Sequence, residues 1–471
     1  MKVDELAYTQ AVLADCLGLA GGGRPAPFIE TSGEAGGVAA EWRTLAERVW
    51  PHLTAQSDEE GDRCDLGRQT GPDLHDEFMA LEAAGLGGPA TPRVSLARWP
   101  GDAPFALFLS HDIDQIYDRE LFRVLADVNH LRRILTQGET GNARLAARRV
   151  LRALFRPKRT LGDFETILAI EGRHGFRSTF FVLHDRYFAR QGARFSFNDR
   201  AIREIGRRVL AAGGELGVHG GYYRFNDAAL DRESLEAVET TFGVRPNGIR
   251  NHLLRFAYPN TWRAQAEAGF AYDATYGRPG VLGARSGLPF PFLTFDRPNQ
   301  RVLDLLELPL TVMDTTLFRH LGLAGAAALE SAWKAVREAS TVGGLVTLLW
   351  HNNFFNEPEY WDWQMVYEQL LERLASLKPW CATGAEINQW WRARARTEVT
   401  VAGEDADCWE IQLHPHDEIV GLTLNVAPAD RWAPSVSGNV AGEWRRQSDR
   451  WQACFPRLQA GETVKLAVLP A

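Results

Sequence analysis

The segment Ser110-His111-Asp112-Ile113-Asp114 places two carboxylates two residues apart, directly after the apolar run Phe105–Leu109. In extended backbone, residues i and i+2 point to the same side, so Asp112 and Asp114 can face one ion, the one as proton acceptor and the other as ligand. The competing reading is that the pair caps a following helix, since Asp is a good N-cap residue. The same arrangement recurs down the chain. His184 and Asp185 follow Ser178–Leu183, His219 follows Glu215–Val218, and Arg250 and His252 lie at the end of Gly248–Arg250. Asp273 follows Phe270–Tyr272, Asp314 follows Leu305–Leu310 with Glu307 inside that run, and His351 follows Leu345–Leu349. Imidazole and carboxylate without thiolate suit zinc or another first-row divalent ion, commonly held by three protein ligands and a water. One histidine at a strand end is more often a hydrogen-bonded structural residue; it is the repetition that points to an active face.

The elements that must position these groups are short apolar runs alternating with amphipathic stretches. Asp199–Ala212, ended by Gly213 and Gly214, and Thr261–Ala268, ended by Gly269, read as helices. The runs show little polar alternation, which predicts strands covered on both faces in a parallel sheet with helices outside. Seven or eight such units predict a closed parallel β/α barrel over 103–395, with a doubly wound open sheet as the alternative. In a barrel the loops after the strand C-termini gather on one face, where the groups above would converge. Trp380–Ala382 and the helix Ala385–Arg394 would finish this domain.

Residues 1–102 read as a mainly helical N-terminal region of unknown role, with helical pieces at Val3–Leu17, Ala39–Trp50 and Asp73–Ala84. Residues 396–471 read as a small β-sandwich built from Thr397–Val401, Cys408–Leu413, Ile419–Val426 and Val464–Val468. Its Trp409, Trp432, Trp444 and Trp451 are read as core or interface packing, with stacking on sugars as the other use.

The 471-residue chain carries 52 Lys+Arg against 60 Asp+Glu, a net charge of −8, which disfavours nucleic-acid binding. Five scattered cysteines without C-x-x-C spacing argue against a disulfide framework and a cysteine zinc site. Neither a signal-like start nor an apolar run of about 18 residues is seen, so no membrane span and a cytoplasmic location are expected. The sequence sets no oligomeric state.

Six ordered segments, SHDID (110–114), GELGVHGGY (214–222), GIRNHLLRF (248–256), YDATYG (272–277), LELPLTVMD (306–314) and TLLWHNN (347–353), resemble the successive motifs of the polysaccharide-deacetylase superfamily, carbohydrate esterase family 4 in particular. The resemblance covers about 103–395. It implies a distorted β/α barrel and a divalent-metal hydrolase, most simply a zinc enzyme, that removes the acetyl group from an N-acetylated amino sugar or glycan precursor. It carries the base role to Asp112, the metal-ligand role to Asp114 and His219, the base-orienting role to Arg250 and the acid role to His351. Two departures stand out. The family's aspartates are adjacent, whereas Ile113 intervenes here, and Tyr223 stands where the second motif has its second histidine. His252 is the expected replacement ligand, ahead of His111, and then of His184, Tyr223, another group or no third ligand at all. Tyr223, Asp273, Asp314 and Trp350 are expected to bind substrate, a carbohydrate or small molecule. The alternatives are an amidase acting on a non-sugar C–N bond and a non-catalytic glycan-binding pseudoenzyme.

Overall fold

The computed structural model describes residues 92–116, 164–185, 195–355, 360–405, 408–435 and 443–471, with isolated residues before 92 and between 117 and 193. The predicted helical pieces at 39–50 and 73–84 lie outside the described residues. Of Val3–Leu17, the described residues are helical, and Tyr8, Val12, Leu13 and Cys16 bury one stripe of that helix in the main core.

Among the described residues, eleven strands precede the tail. They are β1 (Arg93–Leu96), β2 (Ala106–Ile113), β3 (Ser178–His184), β4 (Glu215–Gly220), β5 (Gly248–Asn251), β6 (Tyr272–Asp273), β7 (Phe292–Asp296), β8 (Arg301–Glu307), β9 (Val312–Met313), β10 (Leu345–Leu349) and β11 (Trp380–Cys381). Interleaved with them are α1 (Phe164–Gly172), α2 (Arg200–Ala211), α3 (Ala228–Phe242), α4 (Asn260–Ala268), α5 (Gly325–Thr341), α6 (Trp361–Ser376) and α7 (Gly384–Ala395). Ten strands form one sheet in the order β7-β8-β6-β5-β4-β3-β2-β10-β9, with β11 also on β2. Every pair is parallel except the β7–β8 hairpin. The end strands β7 and β9 do not pair with each other, so the architecture is a distorted barrel with a seam. The sequence reading missed β7: Leu305–Leu310 reads as one strand of the parallel sheet, which it is, but β8 starts at Arg301 and also pairs back on Phe292–Asp296. The charged, exposed Arg301 and Asp304 interrupt the apolar signal at the start of β8.

All eight residues of β2 are buried, and their alternation decides where chemistry can occur. Ala106 and Phe108 join the barrel interior with Phe181, Val218 and Tyr272. Leu107, Leu109 and Ile113 join the layer packed by Ile167 and Ile170 of α1, Val209 of α2, Val336 of α5 and Leu370 of α6. Carried on at period two, the interior set continues through Ser110 to Asp112 and the helix-side set includes His111. Asp199 caps α2 by accepting from Ala201 N, and Gly213 leaves the helix at φ 76°. Close packing at the opposite end depends on missing side chains: a Cβ on Gly248 would lie 1.9 Å from Cζ of Tyr272, and one on Gly384 would lie 2.3 Å from its hydroxyl.

The tail forms β12 (Thr397–Asp405), β13 (Cys408–Pro415), β14 (Ile419–Ala427), β15 (Trp432–Pro434), β16 (Glu443–Gln447), β17 (Arg450–Leu458) and β18 (Val464–Pro470). One antiparallel sheet runs β12-β13-β18-β15 and the other β1-β14-β17-β16. Their alternate residues, among them Ile411, Leu413, Leu466, Leu424, Val426 and Phe455, are buried in one apolar cluster. Strand β1, placed by the sequence reading in the N-terminal region, is thus an edge of this sheet, with Arg93 opposite Ala427. Trp432 is buried and Trp409, Trp444 and Trp451 pack partly buried against the same cluster. Among the described residues no helix is long and apolar enough to cross a membrane.

Candidate metal and catalytic site

The C-terminal ends of β2, β4, β5 and β10 bring six of the predicted residues together. Asp114, one residue past β2, has Oδ1 3.3 Å from His219 Nε2 and 3.8 Å from His252 Nε2. One donor atom from each of these three residues lies within 4.8 Å of the others. A tetrahedral ion with bonds of about 2.0–2.2 Å sets its ligand atoms about 3.3–3.6 Å apart, so the cluster is close to coordination spacing. His184 stands outside it, with Nδ1 3.0 Å from Ser234 Oγ.

The polar bookkeeping of the cluster also fits an ion. His219 Nδ1 donates to the Arg250 carbonyl at 2.8 Å, which fixes the tautomer and leaves the Nε2 lone pair pointing into the cluster. That Nε2 and Asp114 Oδ1 are buried, and neither finds a hydrogen-bond partner. Burial lowers the pKa of His252, against the pull of Asp114, and so favours the neutral imidazole a metal requires. Burial opposes the charge on Asp114, but the imidazoles of His252, His219 and His351 outweigh it and hold the carboxyl below its usual range. Two imidazole nitrogens and one carboxylate oxygen suit zinc or a neighbouring divalent metal.

His252 opens a tight turn in which Leu253 and Leu254 both take positive φ, 58° and 53°. Non-glycine residues keep that conformation only when their surroundings over-determine it. Here Leu254 is packed against Leu310, Met313 and Leu349, and Asn251 Nδ2 donates to the Arg255 carbonyl across the turn.

On one side of the cluster, Asp112 Oδ1 accepts from Arg250 Nη1 at 2.9 Å while Oδ2 lies 3.7 Å from His219 Nε2. Arg250 is fully buried, with Nε donating to the Ala274 carbonyl, Nη2 to Ser110 Oγ, and its plane 4.5 Å from the Phe181 ring. Burial raises the cost of charge on Asp112, but His219, Arg250 and His351 together bring its pKa below normal, so it is an available proton acceptor. The helix-capping reading does not hold for Asp112, which lies inside β2 with its carboxylate on Arg250.

On the other side, His351 Nε2 is 4.0 Å from Asp114 Oδ2. Its Nδ1 and backbone N both donate to Asp314, at 2.9 and 2.6 Å. Burial works against protonation of His351, but Asp314 first, then Asp114 and Asp112, raise its pKa to about 9, so it carries an acid proton at neutral pH.

Three of the four residues expected to bind substrate are corrected by their burial. Asp314 is wholly buried and serves His351. Asp273 is wholly buried, accepting from Gln265 and Thr275 beside the Glu307 carboxyl, and burial raises the pKa of both acids. Trp350 is wholly buried with its ring against Phe318 and Tyr367. Tyr223, 53% exposed on the turn after β4, is the one with surface to offer. Sequence reasoning missed Ser110, whose hydroxyl accepts from Arg250 and donates to the Leu348 carbonyl. Its place at the head of the SHDID segment was the available signal.

No family model and no curated protein matches the chain. Among solved structures it is similar to a candidate polysaccharide deacetylase from Mycobacterium smegmatis, at 21% identity over 65% of this chain and 96% of that one, with a TM-score of 0.42. It is also similar to Puue allantoinase, at 18% identity over 64% and 94% with a TM-score of 0.43, and to the Bacillus subtilis peptidoglycan deacetylase PdaC, at 10% over 60% and 90% with a TM-score of 0.31. At these scores the site has to be read from its own geometry.

Proposed function

We propose that this chain is a divergent member of the polysaccharide-deacetylase superfamily, a metal-dependent hydrolase that removes an N-acetyl group from an amino sugar or glycan precursor. The observation that carries the reading is a three-ligand cluster, Asp114, His219 and His252, flanked by an arginine-held carboxylate and an aspartate-held imidazolium. Amide hydrolysis needs these parts: an activated water, stabilisation of charge on the carbonyl oxygen, and a proton for the departing amine. A divalent ion such as zinc, when bound, polarises an amide carbonyl and lowers the pKa of water. Asp112 takes a proton from the attacking water, and Arg250 keeps it ionised and in line. His351 delivers the Nε2 proton to the leaving nitrogen, with Asp314 holding Nδ1 so that Nε2 is the end that faces the site. The test is acetate release from tri-N-acetylchitotriose by purified protein loaded with zinc. Turnover with acetate supports the reading. Ammonia release from simple amides without acetate transfers it to an amidase, and failure to retain metal transfers it to a glycan-binding protein.

A further inference from the structure

The β2–β10 ladder ends at the pair Ser110–Leu349, just short of the reacting groups. Beyond it the two chain segments are laced by other bonds. Trp350 N donates to the Ser110 carbonyl at 3.0 Å, and Asn352 Nδ2 donates to the Gln115 carbonyl at 3.0 Å. Between them, His111 Nδ1 lies 2.7 Å from the carbonyl of Trp350, the residue before His351. A carbonyl only accepts, so Nδ1 carries a proton.

The other ring nitrogen, Nε2, lies 2.7 Å from Glu171 Oε1 on α1. Glu171 is held in turn by Tyr367 Oη of α6 and Ser178 Oγ of β3, each at 2.6 Å. The imidazole stacks on Phe180, and its side chain and that of Glu171 are essentially closed to solvent. A wholly buried His–Glu pair is an expensive way to fill a helix–sheet interface, where an apolar side chain serves as well. What the imidazole adds is a directed bond to the strand end that bears the acid.

We propose that His111 is a positioning residue: its Nδ1–H bond to the Trp350 carbonyl sets the distance between the Asp112/Asp114 end of β2 and His351. The inference rests on the hydrolase reading for its kinetic consequence, but the spacing itself can be measured independently. Asn offers an amide N–H near the place of Nδ1, and Gln offers one near Nε2. His111→Asn therefore keeps the tie to Trp350 and loses Glu171, while His111→Gln keeps Glu171 and loses the tie.

The experiment is a set of zinc-loaded crystal structures with kinetics on tri-N-acetylchitotriose. His111→Gln is expected to widen the Asp114–His351 separation, 4.0 Å in the parent, by about 0.5 Å or more. It should lower kcat by roughly tenfold or more with KM little changed. His111→Asn should keep both spacing and kcat although its melting temperature falls further. A merely structural role predicts the reverse order, with activity following thermal stability. An unchanged spacing in His111→Gln, or equal displacement in both variants, overturns the proposal. If neither variant folds, ring nitrogen NMR of the native protein decides, since an unprotonated Nδ1 on His111 overturns it and a protonated, hydrogen-bonded one upholds it. A parent that releases no acetate defeats the hydrolase reading alone, because the spacing comparison stands without turnover.

Discussion

Strand β4 begins at Glu215 and carries His219 near its other end, and the buried carboxyl groups beside these two residues are held in opposite ways. At the C-terminal end, Asp112 and Asp114 are surrounded by Arg250, His219, His252 and His351, and both are held below the ordinary carboxylate range despite burial. Beside the start of β4, Glu215 accepts from Thr179 Oγ1 and Ala385 N, has Tyr272 and Glu386 beside it and, among the described residues, bonds to no cation, so burial prevails and raises its pKa to about 7. Asp231, in the first turn of α3, is also raised, to about 8, by burial and then Asp273, which outweigh the opposing pull of Arg224. Neutral donors satisfy a carboxyl oxygen without keeping it ionised; opposing cations are needed to keep a dry carboxylate charged. The end with the cations is where proton transfer and metal binding can be combined.

The sharpest way to break this contrast is to exchange the roles of the two aspartates. Asp112→Asn should lower turnover by roughly 10²- to 10⁴-fold while metal content holds, and Asp114→Asn should deplete the metal. Elemental analysis beside acetate release checks both, and the opposite pattern reverses the assignment. Next in size, Arg250→Met in metal-free protein leaves Asp112 buried without its cation and should cost about 3–5 kcal/mol in urea unfolding. Adding Asp112→Leu should recover much of that loss, and no recovery would mean that Arg250 acts through packing alone.

Glu215 supplies the third probe. Its folded pKa of about 7 lies above the ordinary 4.5, so the folded state holds a proton that the unfolded chain has released. Its contribution is complete below about pH 4.5 and is lost as pH rises through about 7, by about 3 kcal/mol at most. Glu215→Gln should flatten that part of the stability–pH profile between pH 4.5 and 8, whereas an unchanged slope would show that cations reach this end of the barrel too. Smallest is Gly248→Ala, whose methyl group meets the Tyr272 ring beside Glu215; a loss of about 1–3 kcal/mol in thermal unfolding is expected, with metal affinity untouched.

Legibility from sequence followed the same physical line. Ordered motifs at the ends of apolar runs carried the positions of Asp112, Asp114, His219, Arg250, His252 and His351, because period-two geometry and the barrel rule act locally and repeatedly. The helices at 199–212 and 261–268 were marked by caps that sit in the sequence itself, Asp199, Gly213 and Gly269. What could not be read was which side of a strand end holds water and which holds protein. Asp273, Asp314 and Trp350 follow strands as the ligands do, yet their partners Glu307, His351 and Tyr367 enclose them, and those partners come from other elements. Glu171 gave no local sign, since its meaning depends on His111, Ser178 and Tyr367 meeting it across three elements. The β7–β8 hairpin was missed because the charged, exposed Arg301 and Asp304 interrupt the apolar run at the start of β8.

The pairing of β1 with β14 has a consequence for how the molecule is made. Arg93–Leu96 emerges from the ribosome before the whole barrel, and its antiparallel partner Leu424–Ala427 emerges after it. Until then β1 is a strand without a neighbour, tethered to a barrel that can already close round Trp99, whose indole N–H is bound to the Gly343 carbonyl. Among the described ladders this one joins the residues farthest apart in sequence, and contacts of that kind form late and slowly. Synthesis therefore passes through a stage in which a nearly complete barrel displays an open strand edge, a template for pairing with another chain, and the sandwich is the part that retires it.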